Sequence, residues 1–179
     1  SADMQIESIE IKNYRLFRDT KIQNIPRLCV LVGANGTGKS TLFDVFSFLK
    51  DALSMNVAKA VSKRGGYKEL ASRGFAHEPI ELTLQFRLEI AGYPRLVTYI
   101  LKIQPDATGR AVVAREILRY KRGASGKPFH FLDFEYGKGT AVANEEDFSK
   151  ADEDLRREDE ELDAPDILAI KGLGQFERF

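Results

Sequence analysis

The chain has 179 residues, with 27 basic and 27 acidic side chains and 43% hydrophobic residues. This length and balance predict a globular protein with one sizeable core, and the zero net charge excludes a whole-chain attraction to nucleic acid, leaving only a local basic patch. The single cysteine excludes an internal disulfide framework, and no apolar run is long enough to span a membrane. We therefore expect a cytoplasmic protein without membrane insertion. Residues 1–3 precede a methionine and are interpreted as a tag remnant.

The first part of the chain, residues 4–53, predicts two strands followed by a strand and a helix. Residues 4–15 are rich in β-branched side chains, and "DTKIQNI" resembles a short second strand. Residues 28–32 are apolar at every position, which predicts a strand buried on both faces. After Gly38, apolar residues recur at helical spacing: Leu42, Val45, Phe46, Leu49 and Leu53.

A glycine-rich turn joins that buried strand to the helix. Its sequence "GANGTGKS", residues 33–40, matches G-x-x-x-x-G-K-[ST] at every fixed position. Glycines allow the backbone to approach an anion, and the helix adds unsatisfied N–H groups and the positive end of its dipole. We expect Lys39 to reach the β- and γ-phosphates, Ser40 to ligate Mg²⁺ and Thr41 to bond the α-phosphate. The other expected nucleotide-binding residues in the loop are Gly33, Gly36, Thr37 and Gly38. The expected cofactors are ATP and Mg²⁺.

The rest of the chain predicts three further regions. Residues 54–78 are interpreted as a surface excursion, because "RGG" and "RG" interrupt their Ala- and Lys-rich pieces. Residues 79–143 contain alternating runs separated by Gly, Pro and Asp turns, which predict an antiparallel β subdomain with one polar face. Within residues 144–179, positions 144–163 predict an acidic helix that ends at Pro165, followed by the start of a connection to a missing C-terminal part.

Acidic residues for hydrolysis are not assigned in this chain. An ATPase of this kind needs an apolar strand that ends in an acid for Mg²⁺ and a second acid for water. The segment "FHFLDFE" is the one candidate, and we reject it because it lies in an alternating hairpin with Phe134 at the position of the second acid. No catalytic residue is therefore assigned.

The segments "IEIKNYRLFRDT" and "VLVGANGTGKSTLFDVFSFL" resemble the ABC-type ATPase heads of the SMC/RecF group. The ATPase domain of the overcoming-lysogenization-defect family and many bacterial "AAA family" ATPases share this head. The resemblance implies an α/β fold with α+β features: a lobe with a central P-loop strand–helix unit and an antiparallel β subdomain. It also implies that Arg15 and the loop residue Asn35 lie near the phosphates, and that Gln175 could be the glutamine that senses Mg²⁺.

The leading hypothesis is the ATP-binding N-terminal part of an SMC/RecF-like ATPase. The resemblance implies an ATP-gated homodimer that sandwiches the nucleotide, with DNA as the usual partner in processing, repair or phage defence. Two alternatives use the same loop: a small-molecule kinase or other phosphotransferase, and a nucleotide-binding regulator that does not hydrolyse. The kinase predicts a parallel sheet and a lid arginine cluster, whereas the regulator predicts binding without turnover.

Overall fold

A computed structural model describes residues 5–25, 37–90, 92–121, 128–142 and 157–172. The described helices and strands follow one another along the chain in this order: β1 Gln5–Tyr14, β2 Phe17–Gln23, α1 Thr37–Ser54, α2 Val57–Lys63, α3 Tyr67–Leu70, β3 Ile80–Ile90, β4 Tyr93–Pro105, β5 Ala111–Tyr120, β6 Phe129–Glu135, β7 Lys138–Val142, β8 Arg157–Glu161 and α4 Ala169–Gly172. None of the helices in these ranges is long and apolar enough to cross a membrane.

The strands form one eight-stranded sheet in the order β2-β1-β3-β4-β5-β6-β7-β8, and every neighbouring pair is antiparallel. The hairpins predicted after position 79 are confirmed. The alternating run of β3 places Ile80, Leu82, Leu84 and Phe86 in the core, while the residues between them are partly exposed. The first two strands belong to the same sheet, because β1 lies between β2 and β3.

Helix α1 packs on this sheet; of the predicted apolar positions, Leu42 and Val45 are buried, whereas Phe46, Leu49 and Leu53 are partly buried against the core. One face is buried through Leu42, Val45, Phe48 and Ala52, which recur every three to four residues. The helix runs antiparallel to β1: the Tyr14 hydroxyl bonds Asp44 near the start of α1, while Leu53 and Ile6 line one apolar cavity of about 410 Å³ at its far end. The start of α1 therefore lies at the carboxyl end of β1.

We predicted that residues 54–78 form a surface excursion. This prediction is wrong for helices α2 and α3, which lie in this segment and have buried residues. Helix α2 buries Val57, Ala58, Ala60 and Val61, and α3 buries Tyr67 and Leu70. The predicted interruption at "RGG" is confirmed, because Gly65 and Gly66 lie between the two helices, with positive φ angles of 96° and 100°. Both helices join the core that α1 and the sheet share.

The predicted acidic helix over residues 144–163 is also wrong where the chain is described. Arg157–Glu161 form β8, the edge strand, which pairs with β7 in a register that sets Lys138 opposite Glu161. The backbone ladder to β7 supplies the hydrogen bonds that a helix would have made internally, and an edge position leaves the charged side chains in water. Residues 144–156, the earlier part of that prediction, lie outside the described residues.

Candidate functional site

The predicted phosphate-binding residues fall at the start of α1. Thr37, Gly38, Lys39, Ser40 and Thr41 form its first residues. Of the other predicted site residues, Gly33, Asn35, Gly36 and Gln175 lie outside the described residues, whereas Arg15 is described. A helix of this length presents free N–H groups and a positive dipole end at its first turn, a combination that binds anions.

Asp44 lies one turn after Ser40, a rise of roughly 6 Å along the helix. Its carboxylate brings Arg15, the arginine that the resemblance implied, to α1: Arg15 Nη1 lies 3.1 Å from Asp44 Oδ2. The Tyr14 hydroxyl donates to the same oxygen at 2.7 Å. Burial first, and then the hydrogen bond to Asp44, raises the pKa of Tyr14 well above its ordinary value, so its hydroxyl remains a neutral donor.

A second arginine, Arg64 from the end of α2, joins this cluster. Its side chain is only 9% exposed and lies between two carboxylates, with Nε 3.6 Å from Asp44 Oδ1 and Nη2 2.9 Å from Asp51 Oδ2. Lys63 also pairs with Asp51, at 3.3 Å. The hydrogen bond from Arg64 is the main reason that the pKa of Asp51 lies below its usual value. Three cationic groups thus share two carboxylates: Arg15 and Arg64 contact Asp44, whereas Arg64 and Lys63 contact Asp51, which lies roughly 10 Å further along α1.

Arg15 occupies a two-residue connection between β1 and β2, where Tyr14 pairs with Phe17. Its φ is 47°, and that of Asn13 is 60°, values that residues other than glycine seldom adopt. The segment after α2 holds this turn: the Arg15 N–H donates to the Leu70 carbonyl at 2.8 Å, and the Ser72 hydroxyl donates to the Arg15 carbonyl at 2.7 Å. The Arg15 side chain remains 38% exposed.

Sequence reasoning missed Asp44, Arg64 and Ser72. Asp44 carries a weak signal, because an acid about two turns into the phosphate-loop helix is available to pair with a nearby cation. Arg64 and Ser72 carry no local signal, since their partners are remote in sequence: the Ser72 hydroxyl bonds a residue 57 positions away. Only the folded backbone brings these groups together.

The two acidic residues of the rejected segment "FHFLDFE", Asp133 and Glu135, lie on β6 and pair with an arginine of β5. Arg115 binds Asp133 through two hydrogen bonds, at 2.7 and 2.9 Å, and Glu135 through a third, at 2.9 Å. The hydrogen bonds to Asp133 are the main reason that the pKa of Arg115 is raised. Strand β6 pairs antiparallel with β5 and β7, and three strands separate it from β1. This arrangement gives Asp133 and Glu135 structural partners within the sheet.

Comparison with known proteins identifies the group to which the chain is similar. Residues 4–169 match the AAA ATPase domain family. The DNA replication and repair protein RecF of Lactococcus lactis subsp. cremoris (strain MG1363) is 28% identical over 152 residues, covering 78% of this chain and 40% of RecF. RecF of Heliobacterium modesticaldum is 30% identical over 144 residues, covering 76% of this chain and 39% of RecF. The chain spans about two fifths of the length of these relatives. The matches confirm the resemblance to SMC/RecF-like ATPases, and the chain belongs to the AAA ATPase domain family.

Proposed function

We propose that the chain binds Mg-ATP through residues 33–41, with Arg15 as a further ligand of the phosphates. The observation that carries this proposal is the position of the Arg15 guanidinium, held by Asp44 one turn from Ser40 and still partly exposed. An arginine suits this role because its planar guanidinium donates two parallel hydrogen bonds to phosphate oxygens.

The charges of the described residues fit a triphosphate. The helix start offers N–H donors, and two cationic side chains, Arg15 and Arg64, contact the one carboxylate of Asp44 a turn after Ser40. In this proposal Lys39 contacts the β- and γ-phosphates, and Ser40 supplies an oxygen ligand to Mg²⁺. The bound Mg²⁺ would neutralise phosphate charge. Gln175 remains a proposed second contact to the ion.

The path of the chain supports a central strand–loop–helix unit. Asn24 donates its N–H to the Glu7 carbonyl near the beginning of β1, whereas α1 starts near Tyr14 at the other end. Ser8 and Tyr14 are roughly 20 Å apart along a strand, and residues 26–36 reach at most about 40 Å when extended. We propose that residues 28–32 form the strand along this path and residues 33–36 the loop.

For the whole assembly we propose an ATPase whose nucleotide-dependent homodimerisation is coupled to DNA processing, repair or phage defence. The printed description of the relatives, DNA replication and repair, supports the partner class. Because the chain spans about two fifths of their length, we propose that hydrolysis needs the remainder of such a protein. The kinase alternative predicted a parallel sheet, and the strand pairs described here are antiparallel.

The test measures Mg-ATP binding by isothermal titration calorimetry. We expect Lys39→Ala to weaken affinity at least about tenfold, because a charge-assisted phosphate contact is lost. Lys50→Ala is the matched control, since Lys50 is an exposed lysine of the same helix, and its affinity should equal that of the unmodified chain. Equal binding by both variants would refute the phosphate-loop assignment. In a hydrolysis assay this chain alone should release little or no phosphate, and turnover comparable to that of a complete RecF-like ATPase would contradict the incomplete-site proposal.

A further inference from the structure

Residues 70–78, here called the clamp, bind the turn that carries Arg15 on both sides. The Arg15 N–H donates to the Leu70 carbonyl at 2.8 Å, and the Arg15 carbonyl accepts from the Ser72 hydroxyl at 2.7 Å. Between these two bonds, Tyr14 pairs with Ala71 in an isolated antiparallel bridge. Both polar groups of the Arg15 backbone are therefore fixed by the clamp.

A second set of clamp contacts holds Asn13, two residues earlier. The Asn13 side-chain amide donates to the carbonyls of Phe75 and Glu78, at 2.9 Å each. Its side-chain oxygen accepts the Ser72 N–H at 3.2 Å. Asn13 is 1% exposed, so these bonds form where water does not replace them.

The backbone of the turn explains why such fixing is needed. Arg15 and Asn13 both have positive φ angles, and neither is glycine. Such conformations persist when surrounding contacts determine them, and they concentrate at ligand sites. If the clamp bonds were lost, the turn would relax toward the common regions of φ and ψ, and the guanidinium would move away from Asp44.

We propose that Ser72 is a positioning residue for nucleotide binding, which acts by fixing the Arg15 backbone so that the guanidinium faces the phosphates. This inference rests on the proposed function, since it names a further residue of the same site. Ser72 itself is 3% exposed and bonds the backbone of Arg15. The influence proposed for its hydroxyl therefore passes through Arg15.

The experiment is a double-mutant cycle on Mg-ATP affinity, measured by titration calorimetry on the full chain. The variants are Ser72→Ala, Arg15→Gln and the pair together, with Lys39→Ala alongside. We expect about a tenfold loss for Arg15→Gln and about a three- to tenfold loss for Ser72→Ala. In the Arg15→Gln background, Ser72→Ala should cause no further loss, because the side chain that it positions is already gone.

Two controls separate positioning from general damage. Ser62→Ala removes an exposed serine hydroxyl on α2 and should leave affinity unchanged. Ser72→Thr keeps a hydroxyl donor and should retain most of the affinity that Ser72→Ala loses. Equal losses from Ser72→Ala with and without Arg15 would indicate a purely structural role and overturn the inference.

The remaining outcomes distinguish the inference from the function on which it rests. Normal affinity in Ser72→Ala, with binding that still depends on Lys39, would overturn the inference and leave the proposed function standing. Binding that is absent, or insensitive to Lys39→Ala, would overturn both. A loss in Ser72→Ala that disappears in the Arg15→Gln background would support both.

Discussion

The β1–β2 and β6–β7 hairpin turns both contain two residues, but different interactions stabilise their backbone conformations. The connection between β6 and β7 consists of Tyr136 and Gly137, with φ angles of 49° and 83°. Glycine adopts such angles without a steric cost, so the second position of this turn needs little help. The β1–β2 connection, Arg15 and Leu16, has a φ of 47° at Arg15 and contains no glycine.

The difference shows where this fold uses tertiary contacts to impose a conformation. The β6–β7 turn is covered by the segment before α4, where Leu162 donates its N–H to the Gly137 carbonyl at 2.8 Å. In the β1–β2 turn a side chain bonds the backbone itself, because the Ser72 hydroxyl donates to the Arg15 carbonyl, and the buried Asn13 adds bonds to the same segment. A turn that must present a charged side chain cannot use glycine at that position, so its conformation has to come from elsewhere.

Among the variants that test this comparison, Asn13→Ala should lower the free energy of unfolding the most. The change removes the two side-chain donors and the side-chain acceptor of a residue that is 1% exposed, and it leaves the partly buried carbonyls of Phe75 and Glu78 without these bonds. We expect the free energy of unfolding to fall by roughly 3 kcal/mol, measured by urea denaturation.

Asn24→Ala is the matched control for this change. Asn24 has a similar φ of 54° but is exposed, so its replacement should cost only about 1 kcal/mol of backbone preference. Equal losses in the two variants would show that φ alone, and not the clamp, determines the stability of the β1–β2 turn.

The segment that covers the β6–β7 turn should respond to pH, whereas the bonds from Asn13 and Ser72 involve groups that do not titrate. The buried carboxylate of Glu116 accepts the N–H groups of Ala169 and Ile170, at 2.6 and 3.0 Å, where this segment enters α4. Burial raises the pKa of Glu116 to about 7. Between its ordinary value near 4.5 and 7, the folded protein therefore holds a proton that the unfolded chain releases.

This contribution to stability is complete below the unfolded pKa and is lost as the pH rises through about 7. The free energy of unfolding of the unmodified chain should fall between pH 5 and pH 8 by about 2 kcal/mol more than that of Glu116→Gln, which cannot titrate. The measurement is urea denaturation of both proteins at constant ionic strength. Parallel pH profiles would contradict the assignment of this proton to Glu116.

The smallest expected effect is that of Gly137→Ala compared with Gly109→Ala. Both glycines have positive φ, 83° and 88°, so both variants carry similar backbone strain. A Cβ at Gly137 would lie 3.3 Å from the Pro165 Cα, whereas a Cβ at Gly109 meets nothing within 4 Å. We expect thermal unfolding to show about 1 kcal/mol more destabilisation for Gly137→Ala. Equal destabilisation would mean that the segment around Pro165 moves to accommodate the added Cβ without a loss of stability.

Local patterns in the sequence were sufficient for much of the fold. The alternation of β3 and the helical spacing of α1 reflect burial on one face, a property that neighbouring residues record. Predictions from local sequence patterns were wrong where pairing with a strand from elsewhere in the chain determines the structure. The acidic run at Arg157–Glu161 became an edge strand because β7 offers a ladder, and no periodicity within the run indicates that partner.

The same distinction applies to the candidate site, where local motifs could be predicted and contacts between remote residues could not. The motif at residues 33–40 is contiguous and could be recognised directly, and Arg15 followed from a resemblance that includes it. The contacts that hold Arg15 could not be predicted, because Asp44 and Ser72 reach it only after α1 and α3 have packed on the sheet. An ion pair or a backbone bond between remote residues leaves no periodic trace in the sequence.

The clamp also has a consequence for the order in which the protein forms. The β1–β2 hairpin needs only a short loop to close, and contacts of this kind form early. The conformation of Arg15, however, depends on Ser72, which lies 57 residues later in the chain. A chain emerging from the ribosome can therefore pair β1 with β2 well before it can complete the turn between them, and this turn reaches its final shape only once Ser72 has been made and α3 has packed.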